Sequence, residues 1–315
     1  MKTTEASAPG KVILFGEHAV VYGRPAIAAP VSEVRARAVV EDSPVPGVIL
    51  QAPDLGRSYD LQEAAENDPF ARAIHLVIAA AGTFRMPDLI ITVRSAIPIA
   101  SGLGSGAAMA SAVIRALANH LGIDYLATDE WVSNQTYEVE KLLHGTPSGI
   151  DNTVVSYEMP LYFIRREPSN VMETFIVARP LRFLIADTGF TSSTREVVGD
   201  VRRMWEADRA RFELLFDKCG QIAESARQAI VTGKIETLGD LMYENHTYLR
   251  EMAVSSPELD KLVGAAELAG ALGAKMSGAG RGGNIIALVT EDNERIVRQA
   301  CLAAGAKQVF SSSLT

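Results

Sequence analysis

A glycine-rich segment at residues 98–108, with the sequence PIASGLGSGAA, constrains the fold of this chain most. It lies between a predicted strand at 89–94 and a predicted helix at 105–120. Glycine lets the backbone turn with its amides pointing inward, and a helix N-terminus adds N–H groups and the positive end of the helix dipole. We therefore predict a loop that binds an anion, most naturally a nucleotide phosphate. Ser101 and Ser105 have hydroxyls that can donate to phosphate or ligate magnesium.

The alternative for this segment is a tight strand-to-helix connection without a ligand, because small residues also allow close helix packing. A Walker A loop is excluded, since no Gly-Lys-Ser or Gly-Lys-Thr follows the turn.

A second glycine-rich segment, KMSGAGRGGN at 275–284, matches the pattern G-x-G-x-x-G. A dinucleotide-binding fingerprint would open a helix, whereas residues 284–289 form a predicted strand. A protein kinase would also need HRD and DFG elements, and the sequence has neither. We predict a glycine loop that approaches a ligand closely, with a bare hairpin turn as the alternative.

Two further segments carry charged side chains in suggestive positions. Near the N-terminus, an apolar strand at 12–15 is bracketed by Lys11 on one side and by Glu17 and His18 on the other, which favours a site over a structural histidine. In the segment 140–152, Glu140 lies near the end of a predicted helix, one turn before His144, and a loop then presents Asp151.

One carboxylate for Mg²⁺ and another near a reacting hydroxyl are what phosphoryl transfer requires. The alternative is that Glu140 faces solvent or a lysine and that Asp151 caps a turn.

The composition is that of a globular protein of 315 residues, and the net charge of −8 disfavours nucleic acid as a partner. The longest apolar stretches fall far short of the roughly 20 residues that span a bilayer. The first residues contain no apolar stretch typical of a signal peptide. Two cysteines predict neither a disulfide framework nor a zinc cluster. We therefore expect a cytoplasmic protein without a membrane partner.

The pattern of apolar residues and caps predicts an α+β fold with two domains, 1–179 and 180–315. Ser255 and Glu258 fit a capping box at the start of a late helix. The other predicted elements are a strand or hairpin at 26–40, a helix capped by Asp68 that ends at Gly82, a helix at 129–143, a strand at 183–186, mostly helical sequence at 192–269, a buried strand at 284–289 and a closing helix at 293–304.

Taken together, these segments resemble the GHMP kinase superfamily, and most specifically its mevalonate kinases. APGKVILFGEHAVVYG at 8–23 is similar to the first family motif, 98–108 to the second and 275–283 to the third. HGTPSGIDN at 144–152 resembles the segment with the catalytic aspartate, and 245–275 resembles the helical lead-in to the third motif. Galactokinase-like chains are less similar, because they usually continue Gly-Glu-His with Thr-Asp-Tyr.

The resemblance implies a two-domain GHMP kinase fold with the active site in the cleft between the domains. It implies transfer of the γ-phosphoryl group of ATP to the 5-hydroxyl of (R)-mevalonate, with Mg²⁺ as cofactor. Asp151 matches the base, Lys11 the lysine beside it, and Glu140 the Mg²⁺ ligand, with Ser105 as a second candidate ligand. The expected nucleotide-binding residues are Ser101, Gly102, Leu103, Gly104, Ser105, Gly106 and Ala107. The expected substrate-binding residues are Glu17, His18, Thr194, Gly278, Ala279 and Gly280.

Two positions depart from the family pattern. Gly106 stands where the family commonly has a magnesium-ligating serine, so that Ser105 or a water would take that place or metal binding would be weaker. Arg281 stands where the third motif usually has glycine; we favour a contact with phosphate or a carboxylate, the alternative being a side chain in solvent.

Two other functions stay open from the sequence. One is a GHMP kinase that phosphorylates phosphomevalonate or a sugar. The other is a ligand sensor without turnover, because a fold alone never proves catalysis. A homodimer is possible, although no apolar stripe in the sequence identifies an interface.

Overall fold

The computed structural model describes residues 2–83, 85–98, 102–145 and 147–315, with the side chains of Leu143 and His144 left out. The strands are β1 (Thr3–Phe15), β2 (Ala26–Asp42), β3 (Val48–Ala52), β4 (Arg57–Asp60), β5 (Leu89–Ser95), β6 (Leu161–Ile164), β7 (Val171–Thr174), β8 (Leu181–Asp187), β9 (Gly273–Ser277), β10 (Asn284–Val289) and β11 (Gln308–Leu314). The α-helices are α1 (Pro69–Ala80), α2 (Ser105–His120), α3 (Asp129–His144), α4 (Ile150–Tyr157), α5 (Thr194–Ala207), α6 (Arg209–Thr232), α7 (Ile235–Glu251), α8 (Pro257–Leu268) and α9 (Glu294–Ala303).

The chain forms two compact units that are not continuous in sequence. The first consists mainly of Val34–Ile99 and Leu103–Glu158 together with Met1–Lys11. The second consists mainly of Val12–Glu33 and Met159–Thr315. The first strands, β1 and β2, are therefore each divided between the units. The domain boundary between residues 179 and 180 stays a prediction of the sequence.

In the first unit, strands β4, β3, β5 and β2 form a mixed sheet. β5 runs antiparallel to β2, with Leu89 opposite Asp42, and parallel to β3, with Leu89 opposite Val48. Helix α2 packs on β5 of this sheet, and α1, α3 and α4 pack on α2.

Helix α2 lies at the centre of the first unit. It contacts α1, α3, α4 and β5, and most of its residues are buried. A helix that is apolar nearly all round can be stable only in such a position. Its small residues, among them Ala108, Ala112 and Ala116, let the neighbouring helices approach closely. The core thereby holds the N-terminus of α2 in a fixed place.

In the second unit, β11, β8, β10 and β9 form an antiparallel sheet in that order. Asn284 of β10 pairs with Asp187 of β8 on one side and with Ser277 of β9 on the other. Helices α7, α8 and α9 pack on these strands, and α6 packs on α7. Strands β6 and β7 continue the pairing of the early part of β2, with Ala26 opposite Phe163.

Most of the local predictions are confirmed. Helix α2 and strand β10 have the predicted bounds, and the Asp68 side chain caps α1 by accepting from the Ala71 amide. The segment from residue 26 is one long strand, which decides against the hairpin. The capping box was wrong by one residue: Ser256 caps α8 by accepting from the Leu259 amide. Ser255 instead donates to Asp260 at 2.6 Å, because Pro257 must occupy the first helical position.

The N-terminal strand is longer than the sequence predicts. It begins at Thr3 rather than near residue 12, although its first residues are polar and partly exposed. Among the described residues, no helix combines the length and the low charge needed to cross a lipid bilayer.

Asp68 is the most heavily used cap in the first unit, because its buried carboxylate also accepts from Arg57 and from the Tyr59 hydroxyl, the latter at 2.8 Å. We predict that Asp68→Ala lowers the free energy of unfolding by about 2–3 kcal/mol, since the helix cap and the hydrogen bonds from Arg57 and Tyr59 to a buried carboxylate are lost together. Urea denaturation measures this change. The matched control is Asp124→Ala, at an exposed aspartate whose side chain caps no helix; a loss of the same size there would contradict the prediction.

Candidate active site

An ion pair joins the first family motif to the first turn of α4. The ammonium of Lys11, in β1, lies 3.1 Å from Oδ1 of Asp151. Asp151 is in the first turn of α4, where the helix dipole stabilises a negative charge. The Lys11 side chain is only 12% exposed, so water screens this pair weakly. A carboxylate and a cation are thus held side by side.

Gly104 brings the predicted phosphate loop directly against this pair. It has a φ of 70° and is the N-cap of α2. A Cβ atom at Gly104 would lie 2.8 Å from Cγ of Lys11 and 3.7 Å from Oδ2 of Asp151. The Lys11 amide also donates to the carbonyl of Leu103 at 2.9 Å. The close approach is therefore possible only because residue 104 has no side chain.

The other loop residues contribute in different ways. Leu103 and Ala107 are buried, so their side chains belong to the core and only their backbone is available to a ligand. Gly102 is exposed, and Ser105 and Gly106 are half-buried in the loop and the first turn of α2. The first N–H groups of a helix have no partner within the helix, which is the feature that an anion uses. Ser101 lies outside the described residues.

Glu140 is buried in α3 and belongs to the same electrostatic group. Burial raises the pKa of Glu140 to about 7, the Asp151 carboxylate adds to the rise, and Lys11 opposes it. A carboxylate in this position gains stability from a nearby cation. Mg²⁺ prefers oxygen ligands and is held by one or two carboxylates together with substrate phosphates, so the residues present fit it. His144, one turn further along α3, has no described side chain.

A second cluster lies in the other unit, around Glu17. The ammonium of Lys275, in β9, forms an ion pair with the Glu17 carboxylate, and both side chains are almost fully buried. Lys275 also donates to the carbonyl of Met276 at 2.7 Å and lies 5.8 Å from the centre of the Phe15 ring. Removing one partner of a buried pair leaves an uncompensated charge, which is strongly destabilising.

His18 ties the first motif to the third. Its Nε2–H donates to the carbonyl of Ala279 at 2.8 Å, which requires the proton on that nitrogen because a carbonyl only accepts. Burial lowers the pKa of His18 to about 4, so the ring is neutral at pH 7. His18 also has a φ of 61°, a strained conformation that its neighbours must hold in place.

The third motif forms the connection between β9 and β10, residues 278–283. The two strands form an antiparallel hairpin, so the geometry of the bare-turn alternative is correct, and a ligand at this loop stays a prediction. Gly280 passes so close to the α7–α8 connection that a Cβ would lie 1.9 Å from the carbonyl oxygen of Val254. Ser192 donates to the carbonyl of Gly280 at 2.5 Å. Thr194 is exposed at the start of α5, two residues after Ser192.

Sequence reasoning missed the partners of two residues that the structure makes prominent, and it assigned no role to Lys275. Lys275 was visible only as the first residue of the third motif, and its partner Glu17 lies 258 positions earlier. Arg281 was singled out, but its partner was not: the guanidinium pairs with the carboxylate of Asp200. No local sequence pattern predicts either ion pair, because each joins elements that are distant in sequence.

Comparisons with known proteins show the family to which the chain belongs. Residues 69–158 match the GHMP kinases N terminal domain, and residues 226–307 match the GHMP kinases C terminal domain. The mevalonate kinase of Thermococcus gammatolerans is 36% identical over 98% of this chain and 96% of its own length. That of Pyrococcus abyssi is 34% identical over 96% of this chain and 94% of its own. A crystal structure of L. major mevalonate kinase in complex with R-mevalonate has a TM-score of 0.86 at 31% identity, covering 99% of this chain and 95% of that one.

The chain belongs to the mevalonate kinases of the GHMP kinase family. The resemblance stated from the motifs is thereby confirmed, and so is the two-domain α+β GHMP kinase fold. As a GHMP kinase, the protein uses ATP as its co-substrate. The roles of individual site residues remain predictions.

In this GHMP kinase, a buried histidine couples folding to pH. The Nε2–H of His246 donates to Asp260 at 3.1 Å, and its Nδ1 accepts from the Met276 amide at 3.3 Å. Burial lowers the pKa of His246 to about 4, against the opposing effect of Asp260. Because the unfolded state binds the proton more tightly, this contribution to stability is complete above pH 6.5 and is lost as the pH falls towards 4.

We predict that at pH 5.5 His246 alone lowers the free energy of unfolding by about 1 kcal/mol relative to pH 7.5. His246→Gln should therefore lose about that much less stability than the parent between the two pH values in urea denaturation. His75→Gln, at an exposed histidine of α1, should lose as much as the parent. An equal loss in the parent and His246→Gln would refute the assignment.

Proposed function

We propose that this protein transfers the γ-phosphoryl group of ATP to the 5-hydroxyl of (R)-mevalonate, giving 5-phosphomevalonate and ADP. The observation that carries the proposal is the Lys11–Asp151 pair, at 3.1 Å, beside the glycine loop at the N-terminus of α2. The names of the relatives, which are mevalonate kinases across nearly the whole chain, supply the acceptor.

In the proposed reaction, Asp151 accepts the proton of the 5-hydroxyl while that oxygen forms its bond to the γ-phosphorus. The bond from the γ-phosphorus to the bridging oxygen breaks, and ADP leaves. The Lys11 ammonium stabilises the negative charge that develops on the attacking oxygen. Phosphoryl transfer depends mainly on positioning and charge neutralisation, so a fixed cation beside a fixed base serves both needs.

The loop Gly102–Ala107 and the first turn of α2 are proposed to bind the phosphates of ATP through backbone N–H groups. Glu140 and Ser105 would hold Mg²⁺, which neutralises phosphate charge when bound. Glycine at 106 removes one hydroxyl from the usual family set. Mg²⁺ keeps several waters in most sites, so a water can take that coordination position.

For the acceptor, the resemblance assigns Glu17, His18, Thr194 and the loop residues Gly278, Ala279 and Gly280. The His18 ring is neutral and adds no positive charge, which suits binding of a hydroxyl. Its Nε2–H is already donated to the carbonyl of Ala279. The buried ion pair with Lys275 fixes the position of the Glu17 carboxylate.

Two alternatives share the fold. Phosphomevalonate and sugar kinases belong to the same superfamily, but the sequence Gly-Glu-His-Ala-Val-Val-Tyr-Gly at 16–23 favours mevalonate over a sugar. A sensor without turnover is disfavoured by the presence of Lys11, Glu140 and Asp151 in one electrostatic group. A homodimer and a cytoplasmic location stay predictions from the sequence.

The first test is a coupled assay of ADP release with ATP, Mg²⁺ and (R)-mevalonate. We expect turnover in the parent and a loss of about 10²–10⁴-fold in kcat for Asp151→Asn, because the variant keeps the shape but cannot accept a proton. Asp124→Asn, at an exposed aspartate, is the matched control. Unchanged turnover in Asp151→Asn would remove Asp151 as the base. If the parent phosphorylates phosphomevalonate or a sugar but not mevalonate, the protein is a kinase for that other acceptor.

The close approach at Gly104 gives a second test. Gly104→Ala should lower kcat by about 100-fold, because the added methyl displaces the Lys11 side chain from its place beside Asp151. Gly122→Ala is the control, since Gly122 has a similar φ of 75° and nothing within 4 Å of its Cβ position. Both variants carry the same backbone strain, so an equal loss of activity would show that strain, rather than the contact with Lys11, is responsible.

A further inference from the structure

Arg281 occupies a backbone conformation that its residue type disfavours. It lies in the loop 278–283 with a φ of 54°, in the left-handed region. A side chain with a Cβ is strained there, whereas glycine is not. The third motif of the resembling family usually has glycine at this position. An arginine kept in this conformation must therefore be held by its surroundings.

Three contacts hold it. The Arg281 amide donates to the carbonyl of Val254 at 2.8 Å, and its Nε donates to the carbonyl of Ala253 at 3.1 Å. The guanidinium also forms an ion pair with the carboxylate of Asp200, in α5. The first two contacts fasten the loop to the α7–α8 connection, and the third fastens it to α5.

The ion pair is placed to act on the loop rather than on the core. The Arg281 side chain is 35% exposed and that of Asp200 is 27% exposed, so solvent screens their attraction and the fold depends on it little. Hydrogen bonding from Arg281 lowers the pKa of Asp200, so the carboxylate is charged at neutral pH. Arg203 of the same helix also pairs with Asp200 but is largely exposed.

The remaining loop residues are fixed by neutral groups. His18 donates a hydrogen bond to the carbonyl of Ala279, and Ser192 donates one to the carbonyl of Gly280. The Gly283 amide donates to Phe190 at 2.7 Å, and the Gly283 carbonyl accepts from the Thr188 amide at 2.9 Å. Without Arg281, the stretch between Gly280 and Gly283 would lose its side-chain anchors to α5 and to the α7–α8 connection.

We propose that Arg281 is a positioning residue which, through Asp200 and Ala253, holds the loop 278–283 in its ligand-binding conformation before the ligand arrives. It acts through the loop backbone, and its guanidinium is occupied by the Asp200 carboxylate instead of a phosphate of the nucleotide. The inference rests on the proposed function, because that proposal makes this loop part of the acceptor site.

The informative variant is Arg281→Gly, because glycine removes the side-chain clamp and the backbone strain together. We expect an unchanged or higher melting temperature. If the loop is then competent for about a tenth of the time, the KM for mevalonate rises about 10-fold while kcat changes little. Hydrogen exchange of the peptide covering 278–283, in the protein without ligand, should become faster.

Asp200→Asn removes the charge on the other side of the pair. It should raise the KM for mevalonate in the same way, and the double variant Arg281→Gly with Asp200→Asn should be no worse than the worse single variant, since both remove one interaction. Arg203→Gln is the matched control, because Arg203 touches Asp200 but has no contact with the loop in the described residues. Its KM and its exchange should equal those of the parent.

Three results would overturn the inference. One is an unchanged mevalonate KM together with unchanged exchange in Arg281→Gly. Another is a rise in the KM for ATP alone with unchanged exchange, which would mean that Arg281 binds phosphate directly. The third is strict additivity in the double variant. If the parent does not phosphorylate mevalonate, the proposed function fails, and the exchange of 278–283 in the same variants still decides whether Arg281 holds the loop.

Discussion

The close approach of Gly104 to the Lys11–Asp151 ion pair is the constraint on which the candidate site in the first unit depends. A helix buried on nearly all sides, α2, holds the loop end in place, and a residue without a side chain lets β1 and α4 meet it. The positive ammonium, the carboxylate and the helix N-terminus then lie together. The ion pair and the hydrogen bond from the Lys11 amide to Leu103 already hold these groups together, so their electrostatic effect on a ligand needs little reorganisation.

In the second unit, buried polar contacts hold the glycine loop 278–283 in place. The Glu17–Lys275 ion pair and the hydrogen bond from His18 to Ala279 connect the end of β1 to β9 and its glycine loop. These groups are removed from water, so each is costly unless it is paired. The same loop is held from its other side by Ser192 and Arg281. A loop of mostly glycine, which would be flexible alone, is thereby given one conformation.

Much of this could be predicted from the sequence, where the signals are local. Helix α2, strand β10 and the cap at Asp68 follow from apolar periodicity and capping chemistry, and the motifs predicted the kinase family, which the comparisons confirm. The start of β1 was missed because its first residues are polar, and an edge that pairs with β2 is visible only in the fold. The cap of α8 was misplaced by one residue, because two adjacent serines offer the same local signal.

The sequence by itself determined which chemical groups the protein has and the order in which they occur: the predicted site residues Lys11, Glu140 and Asp151, and two glycine loops. Only the tertiary structure decided which of these groups meet. Lys275 pairs with Glu17, which lies 258 positions earlier in the chain, and Arg281 pairs with Asp200, which lies 81 positions earlier. Such pairings depend on how whole elements pack, since burial and shape select among many possible partners. Local patterns carry no information about that choice.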